Sequence, residues 1–201
     1  MLLANQPHLA TAPDGADDAE LVRSVLAGDA QARAVFFDQH AALVQRVLAR
    51  LLGADAELED LLHDVFVEAF AGLHGLRDPR AIGAWLVGIA AHTARRCIRR
   101  RQRGRWLMFP GEAALPEPTT PVGEEAYGEL RTIQWLLAQL SVDEQLVLSL
   151  RWLEGMQVDE VAQACGLSHS TTKRRLAAAE KRFRALARRH PEVERWFGGA
   201  P

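Results

Sequence analysis

Apolar residues along this chain recur every three or four positions, and glycines interrupt the pattern. Leu21, Val22, Val25 and Leu26 open a first stripe that stops at Gly28 and Asp29. Leu43, Val44, Val47, Leu48, Leu51 and Leu52 form a second, ended by Gly53. Leu58, Leu61, Leu62, Val65, Phe66, Ala69 and Phe70 form a third, ended by Gly72. Ile82, Trp85, Leu86, Ile89, Ala90 and Thr93 form a fourth. These offsets fit a period of about 3.6 residues and put each apolar set on one face of a helix. No segment alternates with a period of two between hairpin turns, so the pattern predicts no sheet.

The texture changes between Trp106 and Val122, where Pro110, Pro116, Pro118 and Pro121 read as a partly extended linker. Helical periodicity resumes near Gly128 with Leu130, Ile133, Leu136, Leu137 and Leu140. Ser141 and Glu144 then have the spacing of a capping box, which satisfies open N–H groups at a helix start. The next helix carries Leu146, Val147, Leu150 and Trp152 and ends at Gly155. A short helix follows, with Val158, Val161 and Ala162 inward. After Cys165, Gly166, Leu167 and Ser168 comes a last helix with Thr172, Leu176, Ala179, Phe183 and Leu186 inward. A short helix, a glycine turn and a serine-capped helix make a helix-turn-helix. The prediction is an all-α fold: two small helical domains joined by a Pro-rich linker, the second containing the helix-turn-helix. The expected organisation is a disordered lead over 1–17, a first domain over 18–105, the linker over 106–127, a second domain over 128–190 and a tail over 191–201.

Net charge adds little until its distribution is considered. The 201 residues carry 24 Lys+Arg and 26 Asp+Glu, a formal charge of -2, which argues against a uniformly basic nucleic-acid binder. The charges are segregated, however. Asp55, Glu57, Glu59, Asp60, Asp64 and Glu68 crowd the third helical segment, where no Lys or Arg occurs. That face repels DNA and needs solvent or a basic protein surface. Arg95, Arg96, Arg99, Arg100, Arg101, Arg103 and Arg105 follow the fourth stripe with no acid among them, a composition suited to phosphate binding. On the last helix, the inward set leaves Ser170, Lys173, Arg174, Ala177 and Lys181 facing out, as on a helix that enters a major groove. Lys173 and Arg174 are placed for base edges or phosphates, Ser170 and Thr171 for phosphates.

Several function classes find no support. Cys97 and Cys165 have neither metal-type nor disulfide-framework spacing and read as small core residues, so no metal or other cofactor is expected. The histidines are scattered, and no HExxH, phosphate loop or triad pattern stands out, so an enzyme is not expected. No apolar run reaches the roughly 18 to 20 residues of a membrane span. The beginning of the chain lacks a basic n-region, and Pro7 and Pro13 interrupt it, so no secretory signal is expected.

Two blocks in this order resemble a known family. LVRSVLAGDAQARAVFFDQH, DLLHDVFVEAF and AIGAWLVGIAAHTARRCIRRRQR are similar to the core-binding and promoter-melting domain of bacterial sigma factors. LAQLSVDEQLVLSLRWLEGMQVDEVAQACGLSHSTTKRRLAAAEKRF is similar to their carboxy-terminal domain. With these two domains and a short linker, the chain resembles the extracytoplasmic-function (ECF) class over residues 18 to 190. The resemblance implies that Asp60, Leu61, His63, Asp64 and Phe66 dock on the clamp helices of core RNA polymerase. It implies that the loop 72–80 (GLHGLRDPR) captures a flipped base of the minus-ten element, which costs a few kcal/mol of unstacking. His74, Arg77, Arg80, His92, Arg95, Arg96, Arg99 and Arg100 form the implied minus-ten set. Ser168, Ser170, Thr171, Lys173, Arg174, Ala177 and Lys181 form the implied minus-thirty-five set. Core RNA polymerase, promoter DNA and an anti-sigma factor are the implied partners, with no membrane insertion and a cytoplasmic location. His63, Ala91, His92, Arg96, Ala178 and Glu180 depart from common family residues and bear on which promoter is read. The competing reading is a free-standing helix-turn-helix regulator, for which the acidic helix has no use.

Overall fold

The computed structural model of the chain describes residues 15–53, 57–76, 78–108 and 125–194. Among these residues there are helices and no strands. The chain forms α1 (Gly15–Leu26), α2 (Ala30–Leu52), α3 (Leu58–Gly72), α4 (Ile82–Met108), α5 (Glu125–Leu137), α6 (Val142–Trp152), α7 (Val158–Cys165), α8 (His169–Ala187) and α9 (Pro191–Glu194). Two single 3-10 turns, Leu73–Gly75 and Pro79–Ala81, separate α3 from α4.

Each boundary has a local cause. The Asp29 carboxylate accepts from Gln31 N at 2.8 Å and starts α2. Gly53 ends α2 with φ at 82°. Asp78 accepts from Arg80 N at 3.0 Å and opens the second 3-10 turn, whose first residue is Pro79. The capping box at Ser141 is present: the Glu144 carboxylate accepts from Ser141 N at 3.2 Å and from its hydroxyl at 2.6 Å.

Three boundaries differ from the sequence expectation. α1 begins at Gly15, inside the expected lead. α4 continues through Met108, and α5 begins at Glu125, so the helices take three residues from each end of the expected linker. The prolines lie further in, and nothing before them breaks the helix. The remainder of the lead, residues 109–124, Arg77 and residues 195–201 lie outside the described residues.

In the first domain, α2, α3 and α4 pack around Phe36, Val44, Leu48, Val65 and Leu86, all fully buried. Phe36 sits at the centre of a ring cluster, with centroids 4.8 Å from His40, 5.6 Å from Phe70 and 6.3 Å from Phe66. In the second domain, α5, α6, α8 and α9 enclose Leu136, Leu146, Leu150, Phe183 and Val193. Trp152 meets Phe183 edge-on at 5.4 Å. Cys97 and Cys165 are both buried in the core.

The linker reading left the mutual placement of the domains open, and the structure packs them together. α4 lies along α7 and touches α6, while the end of α2 meets α5 and α6. The buried apolar residues form one continuous cluster across both domains. Gly88 lies at this contact, where a Cβ would meet the Ala164 Cα at an ordinary 3.7 Å.

His40 makes part of this core pH-sensitive. Burial lowers its pKa from the ordinary 6.5, and the nearby Asp18 charge only partly opposes that. The unfolded chain therefore binds more protons than the folded one as pH falls below 6.5. Stability is expected to fall as pH drops below 6.5, and urea titrations should show a shallower loss in His40→Leu. An identical pH slope in wild type and variant would remove His40 from the account.

Candidate protein and DNA interfaces

The acidic helix α3 has two edges with different fates. Along one edge Glu57, just before the helix, accepts from Arg100 at 2.8 Å and Arg101 at 3.0 Å, and Glu68 accepts from Arg96 at 2.8 Å. Along the other edge Glu59, Asp60, His63, Asp64 and Val67 face solvent. Val67 is 55% exposed, one of two large hydrophobics exposed among the described residues. This edge has the composition of a protein-docking strip, with carboxylates around one apolar contact point. Leu61 and Phe66, assigned to the same contact by resemblance, are instead 5% and 2% exposed and serve the core. They fall on the inward face of the same 3.6-residue period that brings Asp60, His63 and Asp64 outward. Burial alone separates the two sets.

The 3-10 turns after α3 carry His74 and Arg80, both exposed, and α1 packs against these turns. His92, Arg96, Arg99 and Arg100 are exposed on α4, and Arg95 is half-buried. Arg96 and Arg100 are held by the α3 carboxylates, and Arg95 and Arg99 lie 3.4 Å and 3.8 Å from Asp143 of the second domain. The expected free arginine face is therefore internally paired at these four positions. The sequence showed the acids and the arginines as separate runs, and only the antiparallel return of α4 beside α3 brings them together.

The helix-turn-helix is built as expected. Gly166 ends α7 with φ 65° and ψ 37°, a left-handed turn that favours glycine. Ser168 starts α8, its hydroxyl accepting from Thr171 N at 3.3 Å and donating to the Thr171 hydroxyl at 2.8 Å. Ser168 is thus committed to the cap, which narrows its availability to DNA. Thr172, Leu176, Ala179 and Phe183 are buried. Ser170, Lys173, Arg174, Ala177 and Lys181 are exposed, and Thr171 is half-buried. Arg182 donates to Glu144 at 3.0 Å, so the carboxylate that closes the α6 capping box also ties α8 to α6.

Sequence reasoning missed the residues that join the domains. Glu154, almost fully buried, accepts from Arg50 at 2.9 Å and lies 3.8 Å from Arg46. Burial raises the Glu154 pKa, and both arginines oppose the rise. Gln145 donates to Leu51 O at 3.1 Å and Gln134 to Ala49 O at 3.3 Å, satisfying carbonyls at the end of α2. Arg175 of α8 reaches Asp143 at 2.9 Å, joining Arg95 and Arg99 there. A cleft of about 310 Å³ beside this seam is lined by Trp85, Ile89, His92, Gln163 and Ala164 among others. Burial pushes the Cys165 thiol at its edge up to about 11, so this sulfur is a packing group rather than a nucleophile. A polar residue facing inward on an amphipathic helix, such as Gln145, is the one sequence signal that pointed to the seam.

An exposed acidic strip on one helical domain and an exposed basic face of the helix-turn-helix on the other are the two candidate interfaces. Comparison with known proteins makes the class specific. The sigma-70 region 2 family matches residues 36–104, and the sigma-70 region 4 family matches residues 130–183. The ECF RNA polymerase sigma factor SigL of Mycobacterium tuberculosis is 28% identical over 167 residues, covering 81% of this chain and 93% of the relative. The ECF sigma factor BldN of Streptomyces coelicolor is 28% identical over 186 residues, 90% of this chain and 69% of the relative. The chain belongs to the ECF class of the sigma-70 family, proteins that direct RNA polymerase to promoters. Its fold is that of two solved structures. One is CnrH in complex with the cytosolic domain of CnrY, with a TM-score of 0.61, 21% identity and coverage of 86% of this chain and 98% of that one. The other is the sigma factor RpoE of Bartonella quintana in complex with the anti-sigma factor NepR, with a TM-score of 0.58, 22% identity and coverage of 77% and 96%. No helix among the described residues is long and apolar enough to cross a membrane.

Proposed function

We propose that this sigma factor docks on core RNA polymerase through Asp60, His63 and Asp64 with Val67 one turn beyond them, and reads the minus-thirty-five element with the outer face of α8. The observation that supports it best is the coexistence of two exposed faces of opposite charge on separate domains. Ser170, Lys173, Arg174, Ala177 and Lys181 form the reading face, with Thr171 and Ser168 at its start. His74 and Arg80, with Arg77 between them in sequence, flank the minus-ten base, and the exposed groups of α4 approach the backbone beside it. Residues 18–105 and 128–190 are the working units of these two tasks. The protein performs no chemistry of its own and acts in the cytoplasm, where an anti-sigma factor restrains it.

Run-off transcription with core polymerase tests this reading. Lys173→Ala or Arg174→Ala should weaken use of the minus-thirty-five element by roughly 1–3 kcal/mol if the contact is bidentate. Equal transcription after that element is scrambled would count against α8 as the reader. Tight, specific duplex binding without polymerase would favour the free-standing regulator instead.

A further inference from the structure

Asp143 occupies an unusual place in the closed molecule. It is the second residue of α6, and its carboxylate receives three guanidinium groups from two other helices. Arg95 Nε lies 3.4 Å from Oδ1, Arg99 3.8 Å from the same oxygen, and Arg175 Nη1 2.9 Å from Oδ2. Arg95 and Arg99 come from α4, which the proposed function puts beside the minus-ten backbone. Arg175 comes from α8, the proposed minus-thirty-five reader. Each guanidinium carries five N–H donors, so one carboxylate with two oxygens leaves a surplus of both donors and positive charge. The seating is imperfect as well. Arg95 Nε and Asp143 Oδ1 are sealed from solvent, yet neither makes a hydrogen bond of good geometry. Three convergent arginines with an ill-fitting anion are chemically a phosphate site with a smaller substitute in it.

The closed arrangement also conflicts with reading two promoter elements. Their centres are about 25 base pairs apart, or roughly 85 Å at ~3.4 Å per pair. Here Arg99 and Arg175 share one carboxylate, at 3.8 Å and 2.9 Å. The helices must part before both elements are held. We propose that Asp143 is a built-in stand-in for a nucleic-acid phosphate. It clamps Arg95, Arg99 and Arg175 together, holds α4 against the second domain, and is displaced when a phosphate takes its place. The inference rests on the assignment of α4 and α8 as DNA-reading helices, but closure can be measured without polymerase.

Gly88 and Ala164 provide the probe, since their backbones touch in the closed molecule, a Cβ at position 88 lying 3.7 Å from the Ala164 Cα. In a full chain carrying Cys97→Ala and Cys165→Ala, Gly88→Cys with Ala164→Cys should cross-link readily under mild oxidant. Adding Asp143→Asn should slow the reaction about fivefold. Inorganic phosphate or a short duplex without promoter sequence should slow it at concentrations where potassium chloride of equal ionic strength does not. A response to duplex but not to inorganic phosphate assigns the site to the nucleic-acid backbone; a response to both assigns it to phosphate in general. Failure of the parent pair to cross-link overturns the proposal, as does an unchanged rate with Asp143→Asn. Equal effects of chloride and phosphate overturn it too, because screening alone then explains opening. If circular dichroism shows Asp143→Asn to be unfolded, Arg99→Gln replaces it with the same expected slowing and the same overturning result. Run-off transcription by the wild-type chain is scored separately, so failure of the sigma reading and failure of the clamp are distinct results.

Discussion

Asp60→Arg combined with Asp64→Arg should abolish capture of core RNA polymerase while the helical content stays unchanged. The two carboxylates stand one helical turn apart on the solvent edge of α3, where neither supports the core. Removing Asp60 costs the fold only its favourable position in the first turn of the helix, about 0.3–1 kcal/mol. At a protein interface the effect is much larger, because each reversal sets like charges against each other and costs several kcal/mol. Native-gel capture or a pull-down with core polymerase checks the result, with circular dichroism as the control for folding. Undiminished capture would transfer the docking role to another surface. Val67→Asp is the milder companion, removing the apolar contact point and leaving the existing charges in place.

Phe36→Ala should be the most damaging single substitution in the first domain. The ring is fully buried and meets His40, Phe66 and Phe70 within 4.8 to 6.3 Å between centroids. Truncating a buried phenylalanine costs about 3–5 kcal/mol, through lost transfer energy and the cavity left behind. A small domain has only about 5–15 kcal/mol of stability in total, so the variant should sit near its unfolding threshold. Urea unfolding followed by circular dichroism measures the loss. A change below about 1 kcal/mol would mean that the four-ring cluster collapses around the gap.

Helix identity was legible because each buried face follows one period without interruption. The apolar positions of α3 and α8 predicted most of the residues now buried, down to Thr172 inside the second domain, whereas α6 is buried nearly all round, Gln145, Leu148 and Ser149 included. The Ser141–Glu144 and Gly166–Ser168 signals were legible because capping and left-handed turns depend on local chemistry alone. The Gln157–Glu160 capping box was missed because glutamine is an uncommon first member of that motif. Leu61 and Phe66 enter the docking set by resemblance alone, and both lie on the inward face of α3. The least legible part was the seam between the domains. Its members are Arg46, Arg50, Asp143, Glu154 and Arg175, ordinary surface residue types whose partners lie far away in sequence. Periodicity reports that a residue turns outward from its own helix, and says nothing about a second domain waiting there.

The internal pairs of α4 have a consequence for the ion balance of DNA binding. An arginine that meets a phosphate ordinarily releases about 0.9 condensed cation from B-DNA. On the proposed approach of α4 to the DNA backbone, Arg96 first leaves Glu68, whose freed carboxylate gathers a cation, while Arg100 leaves Glu57, which keeps Arg101. Each such exchange returns part of what the DNA gives up. The dependence of promoter affinity on salt should therefore be shallower than the arginine content of α4 implies. The protein should then hold its affinity over a wider range of ionic strength than an open basic helix of the same length.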